Sequence, residues 1–112
     1  MDKFKVKMLE GAIKFLKDEI DVEVREKFYY IIKYVQLANN KEFFKKLNDN
    51  IWEFRVRYNG MFYRLFAFWD KSDKNNTLVV ATHGIIKKTD KIPPKEIDKA
   101  EKLMNQYFSE KE

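Results

Sequence analysis

Hydrophobic and polar residues alternate at the start of the chain and then change to a helical spacing. Phe4, Val6 and Met8 are separated by lysines, which predicts a short half-buried strand. Over residues 9–19 the apolar positions follow a helical stripe, and Asp21 marks a break before a second helix. The apolar face of that second helix comprises Val24, Phe28, Ile31, Ile32 and Val35. These segments predict a strand followed by two helices.

The helical pattern stops at the polar residues 39–40, where we expect the second helix to end. Phe43, Phe44 and Leu47 are expected to form a short helical turn, which the polar residues 48–50 close. Beyond this point the spacing changes to that of strands.

Residues 51–69 carry the pattern of a β-hairpin. Two strand-like runs flank Asn59-Gly60, a pair that tolerates the positive φ angles of a two-residue turn. Counting outward from this turn predicts four cross-strand pairs, which are Tyr58 with Met61, Val56 with Tyr63, Arg55 with Arg64, and Phe54 with Leu65. One face of the hairpin is then apolar and packs on the helices. The other face carries Glu53, Arg55, Arg57 and Arg64 beside Phe62 and Phe66.

A third strand and a last helix complete the pattern. Residues 77–86 are rich in Val, Ile and Thr and follow a polar loop, so they predict a strand that extends the hairpin into a mostly antiparallel sheet. Pro93-Pro94 suits the first turn of a helix. The apolar stripe of this helix comprises Ile97, Ala100, Met104, Tyr107 and Phe108. The expected architecture is a single α+β domain over residues 1–112.

Composition narrows the possible functions. The 112 residues suffice for one folded core, and 23 Lys and Arg against 18 Asp and Glu give a net charge of +5, which suits an anionic partner such as nucleic acid. Cysteine is absent and histidine occurs once, so we expect no metal and no cofactor. Charged residues interrupt every apolar run, and residues 1–5 lack the apolar region of a secretory signal. We therefore expect a cytoplasmic protein without a membrane partner.

The predicted register holds two like charges, Arg55 and Arg64, directly opposite each other. Such a pair is unfavourable, so its presence in a rigid hairpin suggests an absent anion, most simply a phosphate. The alternative is that Glu53 and other carboxylates neutralise a solvated sheet face. The sequence alone leaves both interpretations open.

Further features of the second half could serve either chemistry or structure. His83 can exchange a proton near neutral pH, or it can be a packed or surface residue. The loop after its strand can track a phosphate backbone or be a solvated face, and it contains Lys87, Lys88, Lys91 and Lys95 with Asp90 opposing them. Aromatic residues could stack on unpaired bases, although most are expected in the core, and these are Trp52, Phe62, Phe66, Phe68 and Trp69.

Three segments together resemble the HigB branch of the RelE toxin superfamily. They are Ile51-Trp52-Glu53-Phe54-Arg55-Val56-Arg57-Tyr58, Tyr63-Arg64-Leu65-Phe66, and His83-Gly84-Ile85-Ile86-Lys87-Lys88-Thr89. The resemblance continues through residues 93–100 and covers nearly the full chain. It implies a curved antiparallel sheet with two N-terminal helices packed on one face. It also implies an mRNA interferase that cuts mRNA on the ribosome and is held inactive by an antitoxin, often a helix-turn-helix protein.

The same resemblance implies roles for individual residues. Arg64 matches the arginine that contacts the scissile phosphate, and the reaction is attack of a ribose 2′-OH on that phosphate without a metal. His83 or a nearby lysine would move protons, and the C-terminal Tyr107 is better explained as helix core than as a catalytic residue. The predicted catalytic residues are Arg64, His83 and Lys87, and the predicted RNA-binding residues are Arg55, Arg57, Lys88 and Lys91.

Two other functions stay open at this point. A ParE-like member of the superfamily shares the fold but binds DNA gyrase and cuts no RNA, and fold alone does not separate the two activities. The second alternative is a catalytically inactive module that binds only its antitoxin or nucleic acid. The basic sheet face favours RNA, because a gyrase-binding protein does not require charge clustered there.

Overall fold

A computed structural model describes residues 3–111, and one five-stranded sheet joins the two halves of the sequence. The strands are β1 (Lys5–Met8), β2 (Phe44–Lys46), β3 (Trp52–Tyr58), β4 (Met61–Asp70) and β5 (Leu78–Lys87). The helices are α1 (Glu10–Lys14) with its π-helical continuation Phe15–Glu19, α2 (Val22–Leu37) and α3 (Pro94–Lys111). Residues 1, 2 and 112 lie outside the described residues. Residues 1 and 2 belong to the segment that we expect to lack a secretory signal, and residue 112 belongs to the predicted domain.

The strand order in the curved sheet is β1-β5-β4-β3-β2. Strands β2 to β5 form an antiparallel meander, and β1 adds to the edge of β5 in the parallel direction. A parallel neighbour needs a long connection, which α1, α2 and the meander provide. The predicted α+β class and the mostly antiparallel sheet are confirmed.

The hairpin of β3 and β4 has the register that its turn predicts. Asn59 and Gly60 have φ angles of 51° and 76°, as a two-residue turn with the twist of the strands requires. Arg55 lies opposite Arg64, and the other three predicted pairs are also present. Because this register follows from the turn alone, the placement of the two arginines is a direct consequence of local sequence.

The segment after α2 was predicted wrongly. Phe44–Lys46 is not a helical turn but the short edge strand β2, paired with Trp52–Phe54 of β3. The ring of Phe44 stacks on Phe54 and Trp52, with centroids 4.4 and 4.9 Å apart. These contacts with residues distant along the chain outweigh the helix-like local spacing.

The sheet separates two hydrophobic cores. Alternation along β4 sends Leu65 and Ala67 towards α1 and α2, and Phe66 and Phe68 towards α3. The first core therefore contains the two N-terminal helices on one face, as predicted, and the second lies under the C-terminal helix. Within residues 3–111 no helix is both long enough and apolar enough to cross a membrane.

Candidate nucleic-acid interface

The sheet face beneath α3 has a covered end and an open end. Helix α3 packs over Phe66, Phe68 and Val80 and leaves the part of the hairpin nearest its turn uncovered. At the open end lies a cleft of about 420 Å³. Its lining comprises Glu42, Phe43, Arg55, Val56, Arg57, Phe62, Arg64 and Asp90.

Glu53 lies between the two opposed arginines. Its Oε1 is 3.3 Å from Nε of Arg64, and its Oε2 is 3.4 Å from Nε of Arg55. Asp90, in the loop between β5 and α3, contacts Nη2 of Arg64 and lies 3.5 Å from Nη2 of Arg55. Carboxylates therefore do neutralise the arginine pair, but the face is not solvated at Arg64, whose side chain is only 2% exposed.

Part of this network lacks directed hydrogen bonds. Among the described residues, Oε1 of Glu53 and the Nε atoms of Arg55 and Arg64 are buried with no hydrogen-bond partner, although the opposite charges lie close together. Nη1 of Arg64 donates to the carbonyl oxygen of Tyr63 at 3.1 Å. A buried polar group without a partner is costly, so such atoms point to a ligand or to strain.

Burial and charge act in opposite directions on the two carboxylates. Burial raises the pKa of Glu53 above its ordinary value, although the charges of Arg64 and Arg55 act to lower it. Partial burial acts to raise the pKa of Asp90, but the hydrogen bond and charge of Arg64, together with Arg55, bring it below its ordinary value. Glu53 is thus the carboxylate that binds a proton more readily in the folded protein.

A β-bulge positions His83. Leu65 pairs with Gly84 and Ala67 with Ala81, so Phe66 faces two residues of β5 and both Thr82 and His83 point towards α3.

The imidazole of His83 is held at both nitrogens. Nδ1 lies 3.0 Å from Oγ1 of Thr82, and Nε2 lies 3.1 Å from Oε1 of Glu96. Burial lowers the pKa of His83 below its ordinary value, although the Glu96 hydrogen bond acts to raise it, so the ring is neutral near pH 7. Within residues 3–111 no hydrogen bond or ion pair links His83 to the arginine pair. The structure thus shows His83 as a packed residue, and its predicted catalytic role stays a prediction.

The remaining predicted site residues surround the open end. Lys87 pairs with Phe62 and is partly buried, whereas Lys88 and Lys91 are exposed in the loop. Arg57 is exposed, and its guanidinium lies 4.9 Å from the centre of the Phe62 ring. Arg55, Arg64, Arg57 and Lys87 are therefore brought together on one face, and the two loop lysines lie at its margin.

Phe62 is the one aromatic residue of the predicted stacking set in the cleft, because the other four belong to the two cores.

The sequence analysis missed two contacts, those of Asp90 with Arg64 and of Glu96 with His83. The isolated acid within a basic loop was the available signal for Asp90, and no signal identified Glu96. The described residues contain no group of three or more acidic or histidine side chains placed to hold a metal ion.

Comparison with solved structures identifies the class of fold. The chain is similar to a chain of the crystal structure of the intact E. coli RelBE toxin–antitoxin complex, with a TM-score of 0.53 and 19% identity over 79% of this chain and 99% of that chain. The fold is therefore RelE-like.

A family model gives the finer assignment. The model described as "Phage derived protein Gp49-like (DUF891)" matches residues 15–105. The chain belongs to this Gp49-like family, which is of the RelE/ParE toxin type. No curated protein matches the chain. Family and fold together make it a toxin of the RelE-like type.

Proposed function

We propose that the protein is an mRNA interferase, a metal-independent endoribonuclease that cuts mRNA on the ribosome. The observation that carries this proposal is the Arg55–Arg64 pair, held across two strands at the open end of a basic face. Their Nε atoms face the buried Glu53, and their Nη2 atoms face the exposed carboxylate of Asp90. Two adjacent guanidiniums suit a phosphate group, which accepts charge-assisted hydrogen bonds from both.

Single-stranded RNA fits the surroundings of the arginine pair. Arg57 and Phe62 form a flat cation–aromatic surface in the same cleft, on which an unpaired base can stack. Lys88 and Lys91 add positive charge at the margin, where neighbouring phosphates of the strand would lie.

The reaction is attack of the ribose 2′-OH on the adjacent phosphorus, with breakage of the bond to the 5′ oxygen of the next nucleotide. It leaves a 2′,3′-cyclic phosphate and a 5′-OH end. Arg64 and Arg55 stabilise the extra negative charge of the pentacoordinate phosphate. This chemistry requires RNA, because DNA lacks the 2′-OH.

Three groups on this face can transfer protons. Burial raises the pKa of Glu53, so this carboxyl binds a proton more readily than an exposed one, and burial lowers the pKa of His83, which keeps its ring in the neutral form that a base requires. Lys87 lies next to Phe62 and can donate a proton to the leaving oxygen. The roles of His83 and Lys87 stay predictions, and Glu53 joins them because it contacts both arginines.

The partners follow from the class of toxin. An antitoxin is expected to bind and silence the protein, as in the RelBE complex, and the resemblance to the HigB branch supports a helix-turn-helix antitoxin. The ribosome is expected to position the mRNA, so that a site with few catalytic groups suffices.

The test compares wild type, Arg64→Lys and Lys74→Ala during brief expression from a tight promoter, with growth followed and new 5′ ends mapped on cellular mRNA. Arg64→Lys keeps a positive charge beside Glu53 but loses the planar fork of donors. We expect cleavage to fall by about 100-fold or more in this variant. Lys74→Ala, in the exposed loop between β4 and β5, should cut like wild type.

Growth arrest with new 5′ ends that Arg64→Lys abolishes would support the proposal. Arrest with intact mRNA would contradict it and favour the gyrase-type alternative. Absence of arrest by the wild type would contradict it in favour of an inactive binding module.

A further inference from the structure

Asp90 occupies the place in the cleft where a phosphate would meet the arginine pair. Its side chain is 57% exposed, yet its carboxylate contacts the guanidinium of Arg64, which is 2% exposed. The same carboxylate lies 3.5 Å from Arg55 through both of its oxygens. One exposed anion therefore bridges both arginines, and a bound phosphate would have to take this position.

The exposed part of the loop, residues 88–91, is attached to the rest of the fold through this contact, and Ile92 after it packs against the second core. Residues 88–91 are exposed. Over residues 3–111, the hydrogen bonds between loop residues 88–92 and the remainder of the protein are those of the Asp90 side chain with Arg55 and Arg64. Breaking these bonds would leave residues 88–91, between β5 and the packed Ile92, able to move away from the cleft without disrupting secondary structure.

Glu53 and Asp90 differ in what their departure would cost. Glu53 is buried beneath the arginines near the start of β3 and cannot leave without opening the sheet. Asp90 is already half in water, so its carboxylate loses little when it is fully hydrated. Asp90 is thus the carboxylate that an incoming anion can replace.

Charge favours this exchange. Arg55 and Arg64 are balanced by Glu53 and Asp90, so the four groups together are neutral while the loop is docked. When Asp90 leaves, the pair regains a net positive charge, and the Nη2 donors of Arg55 and Arg64 that Asp90 held become available to a phosphate.

We propose that Asp90 is an autoinhibitory latch, an intramolecular anion that closes the arginine pair until a phosphate displaces it. The inference rests on the proposed function for its biological meaning, but the exchange itself concerns only phosphate and protein. Lys88 and Lys91 lie on either side of Asp90 in the same exposed loop. An RNA backbone that binds these lysines would draw the loop, and Asp90 with it, away from Arg64.

The experiment titrates the purified full chain with inorganic phosphate at constant ionic strength and follows the Nε–H resonance of Arg64 by NMR. The variants are Asp90→Asn, the charge-matched control Asp98→Asn on the exposed face of α3, and Asp90→Asn combined with Arg64→Lys. Asp90→Ser serves as a second latch variant, and thermal unfolding verifies that each variant is folded.

We expect Asp90→Asn to bind phosphate at least about fivefold more tightly than wild type, and we expect the chemical shift of the Arg64 Nε–H resonance to change on binding. Asp98→Asn should stay within about twofold of wild type, since it removes the same charge outside the cleft. The double variant should lose the tighter phosphate binding of Asp90→Asn, because the site that Asp90 closes no longer contains two arginines.

Phosphate binding by Asp90→Asn and Asp90→Ser no tighter than by Asp98→Asn would overturn the latch, whether or not the protein cuts RNA. Tighter phosphate binding in a protein that leaves cellular mRNA intact would keep the latch and remove the ribonuclease proposal. The two ideas can therefore fail independently.

Discussion

Asp70 and Glu53 are both buried carboxylates on the same face of the sheet, but they lie at opposite ends and have different surroundings. Asp70 accepts hydrogen bonds from Tyr107 at 2.7 Å and Lys111 at 3.1 Å, both on α3, and from the backbone N–H and hydroxyl of Ser72. Glu53 faces two arginines without a directed hydrogen bond at Oε1.

The pKa values record this difference. Burial alone would raise the pKa of Asp70, but its hydrogen bonds with Ser72, Tyr107 and Lys111 bring it well below the usual range. Burial and the hydrogen bond to Asp70 raise the pKa of Tyr107 to about 12, so the phenol keeps its proton. Burial raises the pKa of Glu53 instead. The fully satisfied network around Asp70 fastens α3 to the sheet, whereas the network around Glu53 is only partly satisfied.

The largest effect on stability is expected at the satisfied end. Asp70→Ala should lower the free energy of unfolding by about 2–3 kcal/mol, because several charge-assisted hydrogen bonds and the anchor of α3 are lost. Tyr107→Phe, which removes one of these bonds, should cost about 1 kcal/mol. Chemical denaturation measures both, with Asp98→Ala as the exposed control. A loss below about 0.5 kcal/mol for Asp70→Ala would show that the network contributes little and would remove the contrast with Glu53.

His83, between the two ends, should make stability fall in mild acid. The unfolded chain takes up a proton as the pH falls through the ordinary value of 6.5, while the lowered pKa of His83 keeps the folded ring neutral. The contribution of His83 to the free energy of unfolding is thus fully present above pH 6.5 and is lost as the pH falls towards the folded pKa. Denaturation at pH 7.5 and 5.5 should show this loss in wild type and a smaller one in His83→Gln. Equal losses in both proteins would assign the pH dependence to other groups.

The smallest effect on stability is expected for Glu53→Gln. The sign of its pH dependence shows whether the carboxylate of Glu53 differs from that of Asp70. A raised folded pKa means that wild type loses stability as the pH rises above the ordinary value of 4.5 and through the folded pKa of Glu53. The stability of Glu53→Gln relative to wild type should therefore increase from pH 4.5 to pH 8, measured by denaturation at both. A relative decrease over the same range would mean that the ion pairs with the arginines outweigh burial, and that Glu53 behaves like Asp70.

Local sequence predicted most of the fold and one part of the site. The residue pattern located the two N-terminal helices, the C-terminal helix and four of the five strands, and the Asn59-Gly60 turn set the hairpin register. The opposition of Arg55 and Arg64 followed from that register without any tertiary information. Such features depend on residues near each other along the chain, so pattern and turn chemistry determine them.

Other features depend on contacts between distant residues. Phe44 lies in a strand because Trp52 and Phe54 offer an edge and two rings, and this pairing does not exist in the isolated segment. The bulge that turns both Thr82 and His83 towards α3 arises where β5 accommodates one more residue than β4. Neither feature has a local pattern that would reveal it.

The sequence by itself determined the helices, every strand except β2, the hairpin register and the opposed arginines, because these follow from spacing and turn geometry over a few residues. Only the tertiary structure decided that Arg64 is buried and that Asp90, 26 residues further along the chain, closes the pair. It also decided that Glu96 of α3 meets His83. The physical reason is that burial and ion pairing depend on the relative placement of whole strands and helices, which no short segment encodes.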